Sequence, residues 1–328
     1  MMALMIVRYD EGAGPRWAVL TGDAPEGPVD RVEGRGIASG AKTLGELIGA
    51  IEAAPDLTAT GEAVRFAASA LLSPVTPDAT LICQGLNYDE HAAEAGHHVR
   101  KENLLFAKAS SSLCGAYADI VRPKGVELLD YEVEVGIVLR RPLEAGTTVT
   151  AGNLGSYLAG VVLCNDMSAR DTMFGASFMQ WFQGKSYRTF CPAGPVFYLL
   201  EPEEVAATVD NLELSLTYDG KVRQSANTGQ LIYKPAETLT QIAAIMDLKP
   251  GDMVLTGTPG GVIAQGTPGL IELLKTNLLN DAARRDGMRV EMKTLGRFLQ
   301  PGDELNLTLR DGVSGMSLGG QRSRITGA

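Results

Sequence analysis

Glu132 and Glu134 stand two residues apart in the run Asp130-Tyr131-Glu132-Val133-Glu134-Val135-Gly136, which continues into Ile137-Val138-Leu139. Apolar and acidic residues alternate here, which predicts a β-strand entering a core. Residues two apart on a strand share a face, with Cα atoms about 6–7 Å apart. Two carboxylates that close repel, and burying them unpaired is costly. A hard divalent cation resolves the conflict; a solvated strand face is the alternative. Asp166 offers a third carboxylate, directly after the apolar run 160–164. Three oxygen ligands would leave about three octahedral positions for water or substrate. All-carboxylate ligation favours Mg²⁺ or Mn²⁺, with Ca²⁺ as a further option, over zinc. Asp166 reads equally as the N-cap of the turn that follows it.

A base is also present. All three histidines fall in His91-Ala92-Ala93-Glu94-Ala95-Gly96-His97-His98. His91 and Glu94 are three apart, so on a helix they share a face. A carboxylate that orients an imidazole makes it a general base; an exposed helix with an incidental pair is the other reading. His97 and His98 are adjacent and do not converge. Gly184-Lys185-Ser186 invites a phosphate-loop reading, but that motif needs a second glycine five places earlier, where Met179 stands. Lys185 is then a lone cation for an enolate or carboxylate, or an ordinary surface lysine. Thr256-Gly257-Thr258-Pro259-Gly260-Gly261 is a turn whose N–H groups and hydroxyls could hold a carboxylate, or a loop with no function.

These residues need a frame. Strands are expected at 80–84, 119–122, 132–140, 157–164, 194–200, 212–218, 253–256 and 304–309, from their β-branched and apolar content. Asp219-Gly220 marks a hairpin turn. Helices are few: 90–96, ending at a glycine, and 237–246. Residues 1–75 read as a small α+β unit, with a hairpin from 5–9 and 17–20 and a helix over 43–54. The two prolines of 71–78 mark a linker, and 76–328 form the main domain. A stretch at about 267–298 reads as an insertion. Leu270, Leu273, Leu274, Leu278 and Leu279 recur there at helical spacing, so it should be mainly helical with its apolar face covered.

Composition narrows the class. At 328 residues, 45% hydrophobic and 21% charged, the chain can build a large core plus a smaller unit. A formal charge of -10 argues against nucleic acid or an anionic membrane as partner. No run of about 18 apolar residues predicts a membrane helix. The opening MMALMIVRYDEG turns acidic too soon for a signal peptide. Four dispersed cysteines without a Cys-x-x-Cys pair read as free thiols. A cytoplasmic protein is expected.

Taken in order, Gly85-Leu86-Asn87-Tyr88 with His91 and Glu94, Glu132-Val133-Glu134, Asn165-Asp166 through Ala169-Arg170-Asp171, Gly184-Lys185-Ser186, and Leu255-Thr256-Gly257-Thr258-Pro259 resemble the fumarylacetoacetate hydrolase family. The resemblance covers roughly residues 80–310. It implies a β-rich α+β fold, a mixed β-roll usually paired in a homodimer. It implies metal ligands at Glu132, Glu134 and Asp166, and a His91–Glu94 dyad that activates water. Lys185 and Arg170 match positions near the metal and substrate oxygens, and Thr258 a position that contacts the substrate carboxylate. Tyr88 and Gly257 fall within the same motifs and join the expected substrate contacts. Two departures stand out. Met173 takes the place of a frequent Gln, and Gln84 that of an additional acidic ligand in members that cleave fumarylacetoacetate. The chain therefore looks closer to the acylpyruvate-type branch.

The resulting expectation is a metal-dependent hydrolase of a carbon–carbon bond in a β-diketo acid. His91 would activate water, and metal and Lys185 would stabilise the enolate. The alternative is an oxaloacetate-type decarboxylase or keto–enol tautomerase on the same site. A non-catalytic binding protein is a rival of another class, but mere binding needs neither the dyad nor Lys185.

Overall fold

The computed structural model describes residues 3–94, 102–176 and 178–328. Its framework is a large mixed sheet. The strands that matter here are β1 (Leu4–Tyr9), β2 (Arg16–Leu20), β3 (Leu81–Gly85), β4 (Leu104–Lys108), β5 (Val133–Leu139), β6 (Leu158–Asn165), β7 (Cys191–Leu199) and β8 (Met253–Leu255). They run in the order β2-β1-β7-β6-β5-β8-β3-β4, and two further N-terminal strands extend the β2 edge. Only the β8–β3 pair along this path is parallel. β1 pairs with β2 on one side and β7 on the other, so one sheet runs from the first residues into the centre of the molecule.

The central strands are apolar because both their faces are covered. Every residue of β5 and β6 is buried, which is why they read as near-continuous Val, Ile and Leu runs. Gly136 sits where β5 meets β8. A Cβ there would lie 2.4 Å from Met253 Sδ and 3.0 Å from Cys164 Sγ, so a side chain would push apart the strands that carry the acidic residues.

A second, five-stranded sheet is built from Leu212–Tyr218, Lys221–Asn227, Glu304–Asp311, Ser317–Gly327 and Ile120–Arg122. Gln321 ties it to the first: its Nε2 donates to the carbonyls of Leu163, Pro192 and Gly194.

The helices are short. α1 (Leu44–Ala53) has a capping box between Thr43 and Glu46. α2 (Asp89–Glu94) carries His91 and Glu94 on its last turn; Gly96, His97 and His98 lie outside the described residues. α3 (Arg170–Met173) and α4 (Trp181–Lys185) flank the site. The helix expected at 237–246 is Pro235–Ala243.

The 267–298 segment is a helix pair, α5 (Pro268–Thr276) and α6 (Asp281–Lys293). Thr267 caps α5 and Asn280 caps α6. The leucine pattern is only partly right. α5 stops at Thr276, and Leu278 and Leu279 lie in the turn with 49% and 82% exposure. Met288 and Met292 of α6 bury instead, against Leu270. Arg284 is buried between the helices, and its guanidinium donates to the carbonyls of Asn277, Leu278 and Phe174. Arg289 bonds Asp171 at 3.0 Å. The pair is thereby fastened to the α3 region rather than left as a surface excursion.

Candidate metal centre and active site

The β5–β6 ladder assembles the carboxylates. Glu132 precedes β5 and Asp166 follows β6. The antiparallel register sets Val133 opposite Asn165, and Asp166 N–H donates to the Glu132 carbonyl at 2.8 Å. Glu134 lies one register step inward. Carboxylate oxygens of Glu132, Glu134 and Asp166 lie within 4.8 Å of one another, and all three residues are buried. Asp166 is no helix cap. Its oxygens accept from Lys108 Nζ at 2.5 Å and Lys185 Nζ at 2.6 Å.

Lysine and arginine hold the cluster. Lys185, on α4, donates to Glu132 at 2.8 Å as well as to Asp166. Arg170, on α3, pairs with Glu132 at 2.7 Å and Asp130 at 2.9 Å. Asp130 also accepts from the N–H groups of Ile263 and Ala264, so it anchors the loop before α5. Burial alone would raise the Glu132 carboxyl, but Lys185 and Arg170 override it and hold the group down at about 2. Glu134 has no ion pair among the described residues, and the Lys185 ammonium only partly offsets its surroundings. Burial, then Asp166 and Glu132, push it well above the usual carboxylate range, although the Gly257 N–H donates to it at 2.8 Å. Burial opposes a charged Lys185, yet Asp166 and Glu132 outweigh it and raise the ammonium.

This donor set fits a hard divalent cation. Asp130, Glu132 and Asp166 are paired with Lys108, Arg170 and Lys185, whereas Glu134 can ionise only against the repulsion of its two acidic neighbours. A divalent ion on three carboxylate oxygens would relieve that repulsion.

A cavity of about 400 Å³ opens on one side of the cluster. Glu132, Arg170, Lys185, His91 and Thr258 reach its wall. His91 Nδ1 lies 3.5 Å from Glu94 Oε2, in contact but not hydrogen-bonded. Glu94 instead accepts from the Gly261 N–H at 2.9 and 3.1 Å.

Two of the expected substrate contacts, Thr258 and Gly257, have other partners. The Thr258 hydroxyl donates to the Val133 carbonyl and accepts from Gln224, each in a buried bond. Gly257 is spent on Glu134; its φ of +92° and the 2.8 Å that a Cβ would leave to Asn87 Cβ require a glycine. The Tyr88 hydroxyl is buried and has no hydrogen-bond partner among the described residues. Burial and then Glu134 keep it protonated. Gln84 donates to Asn103 and Thr238, and Met173 packs its sulfur against Arg170. Lys108 and Asp130 were not legible as site residues. A lysine closing the run Leu104–Lys108 looks like any surface lysine, and Asp130 looks like a strand-end residue.

Comparison with known proteins places this geometry. A family model described as fumarylacetoacetate hydrolase, C-terminal, matches residues 80–326. A Bos taurus protein named mitochondrial oxaloacetate tautomerase is 37% identical over 187 residues, 57% of this chain and 58% of that relative. A Dictyostelium discoideum homolog of fumarylacetoacetate hydrolase domain-containing protein 2 is 35% identical over 192 residues, 57% of this chain and 61% of its own length. The chain thus spans less than two thirds of either relative. A Mycobacterium abscessus structure described as a probable 2-hydroxyhepta-2,4-diene-1,7-dioate isomerase superposes with TM-score 0.73 and 25% identity, over 100% of this chain and 99% of that one.

Proposed function

The chain belongs to the fumarylacetoacetate hydrolase family, and we propose that it is a metal-dependent enzyme that moves a proton between the keto and enol forms of a 2-oxo acid. The observation that carries this is the shared cavity: an imidazole, His91, faces the same space as Lys185 and Arg170. Of the two readings open at the sequence level, proton transfer has the better support. A relative bears a tautomerase name and a structural neighbour an isomerase description.

Glu132, Glu134 and Asp166 would hold Mg²⁺ or Mn²⁺, which when bound supplies Lewis-acid polarisation of the substrate's oxygens. The chain does the rest. Protonated His91 gives a proton to C3 of the enol, the enol hydroxyl loses its proton to solvent water, and the imidazole takes one back from solvent, so none is consumed overall. In reverse, His91 removes the C3 proton. Lys185 is already fixed by two carboxylates, so its charge needs no reorganisation as the oxygen becomes negative. Arg170, braced by Asp130, keeps Glu132 in place.

Hydrolysis keeps one supporting observation, the His91–Glu94 contact, which water activation would also use. The test of function is the loss of enol absorbance of a 2-oxo acid: purified protein with Mn²⁺ should accelerate it, and a chelator should stop it. No acceleration with any 2-oxo acid would overturn the proposal.

Cation binding is read separately. Mg²⁺ or Mn²⁺ at about 100 times its Kd should add about 2.7 kcal/mol of stability. Glu134→Ala should lose that increment in thermal unfolding; an unchanged increment would move the cation elsewhere.

A further inference from the structure

We infer that the distal part of the substrate is apolar, an aryl or alkyl group rather than a second carboxylate. This rests on the proton-transfer reading, because it takes the 2-oxo acid head to lie at the carboxylate cluster. Beyond that cluster most of the described lining is hydrocarbon, with Gln84 and Gln265 as its uncharged polar side chains. Phe106 of β4 and Phe174 both pack edge-on to Trp181 of α4, with centroids 5.1 and 5.8 Å apart. The helix pair continues this surface with Leu270, Ile271 and Leu274 of α5. Leu270 belongs to the buried cluster that Phe174 and Leu274 pack against. The aromatic wall and the helix pair therefore form one contiguous apolar surface.

Charge supports the same conclusion. Among the described lining residues, the lysine and the arginine are Lys185 and Arg170, and both are already committed to carboxylates. Among the described residues a distal carboxylate would find no uncommitted lysine or arginine in this space, which is strongly unfavourable. A phenyl or alkyl group would instead exchange water for the aromatic wall. Oxaloacetate, the substrate in the Bos taurus relative's name, carries that second carboxylate, which this wall matches poorly.

The experiment compares three enols with the same head: oxaloacetate, acetylpyruvate and benzoylpyruvate. Ketonisation kcat/KM and calorimetric Kd are measured for each with Mn²⁺ present. Benzoylpyruvate should exceed acetylpyruvate by about 10–100-fold in both, from burial of one ring, and oxaloacetate should fall below acetylpyruvate. Ile271 lines the cavity yet is 40% exposed, so Ile271→Lys places a cation there without burying it in the core. It should erase the benzoyl advantage and raise the rank of oxaloacetate, and Leu274→Lys should do the same if the first variant is poorly folded. Oxaloacetate ranking first in wild type, or equal Kd values across the series, would overturn the inference. Absence of turnover with all three, while tight benzoylpyruvate binding persists and Ile271→Lys weakens it, would sink the proton-transfer reading and leave the apolar specificity standing.

Discussion

Glu132→Ala is expected to lose at least about 10³-fold of the enol–keto rate. Glu132 is a proposed cation ligand, and it is also the shared partner of Lys185 and Arg170. Its removal leaves two buried cations short of a counter-charge, which typically costs about 3–5 kcal/mol. Stability should therefore fall with activity. Glu132→Gln separates the two effects, since it keeps the shape and part of the hydrogen bonding. A folded Glu132→Gln protein with no cation-induced stabilisation and no rate supports the assignment. One that retains cation response and near-wild-type rate would contradict it. Because Glu132, Lys185 and Asp166 act as a unit, single losses should not add in double variants.

His91→Ala should lose about 10²–10⁴-fold in rate, the usual contribution of a positioned acid–base group. It should keep the stabilisation by Mn²⁺, because His91 bonds none of the three carboxylates. Its stability cost should be small: the imidazole already borders open cavity, and its Nδ1 has no hydrogen-bond partner to leave stranded. The measurement is kcat alongside the cation-dependent melting shift in one preparation. An unchanged kcat would remove His91 from the chemistry. A lost shift would mean that His91 supports the cation site instead.

The acidic centre was legible because strand alternation puts Glu132 and Glu134 on one face, and an apolar run delivers Asp166 to its end. The His91–Glu94 contact was legible from helix spacing, but not its looseness, which arises because Gly261, distant in sequence, occupies Glu94. Lys108 was hidden for a physical reason. A buried lysine is recognisable only by its partner, and Asp166 is 58 residues away. The strand Ser317–Gly327 escaped because its buried positions include Gly319, Gly320 and Gln321, which carry no apolar signal. Leu278 and Leu279 misled because helical spacing says nothing about where a cap falls, and Asn280 starts a new helix there. The Gly257 turn was visible, but that its N–H faces Glu134 depends on the pairing of β5 with β8.

Proton transfer at C3 leaves every carbon–carbon bond of the substrate intact, whereas hydrolysis breaks one. Following benzoylpyruvate enol by proton NMR in deuterium oxide, with wild-type protein and saturating diamagnetic Mg²⁺, separates this reaction from hydrolysis. The enol signal should fall faster than in the protein-free control, C3 of the keto form should acquire deuterium, and His91→Ala should revert to the control rate. Benzoate and pyruvate appearing as fast as the enol disappears would contradict it and make the chain a hydrolase.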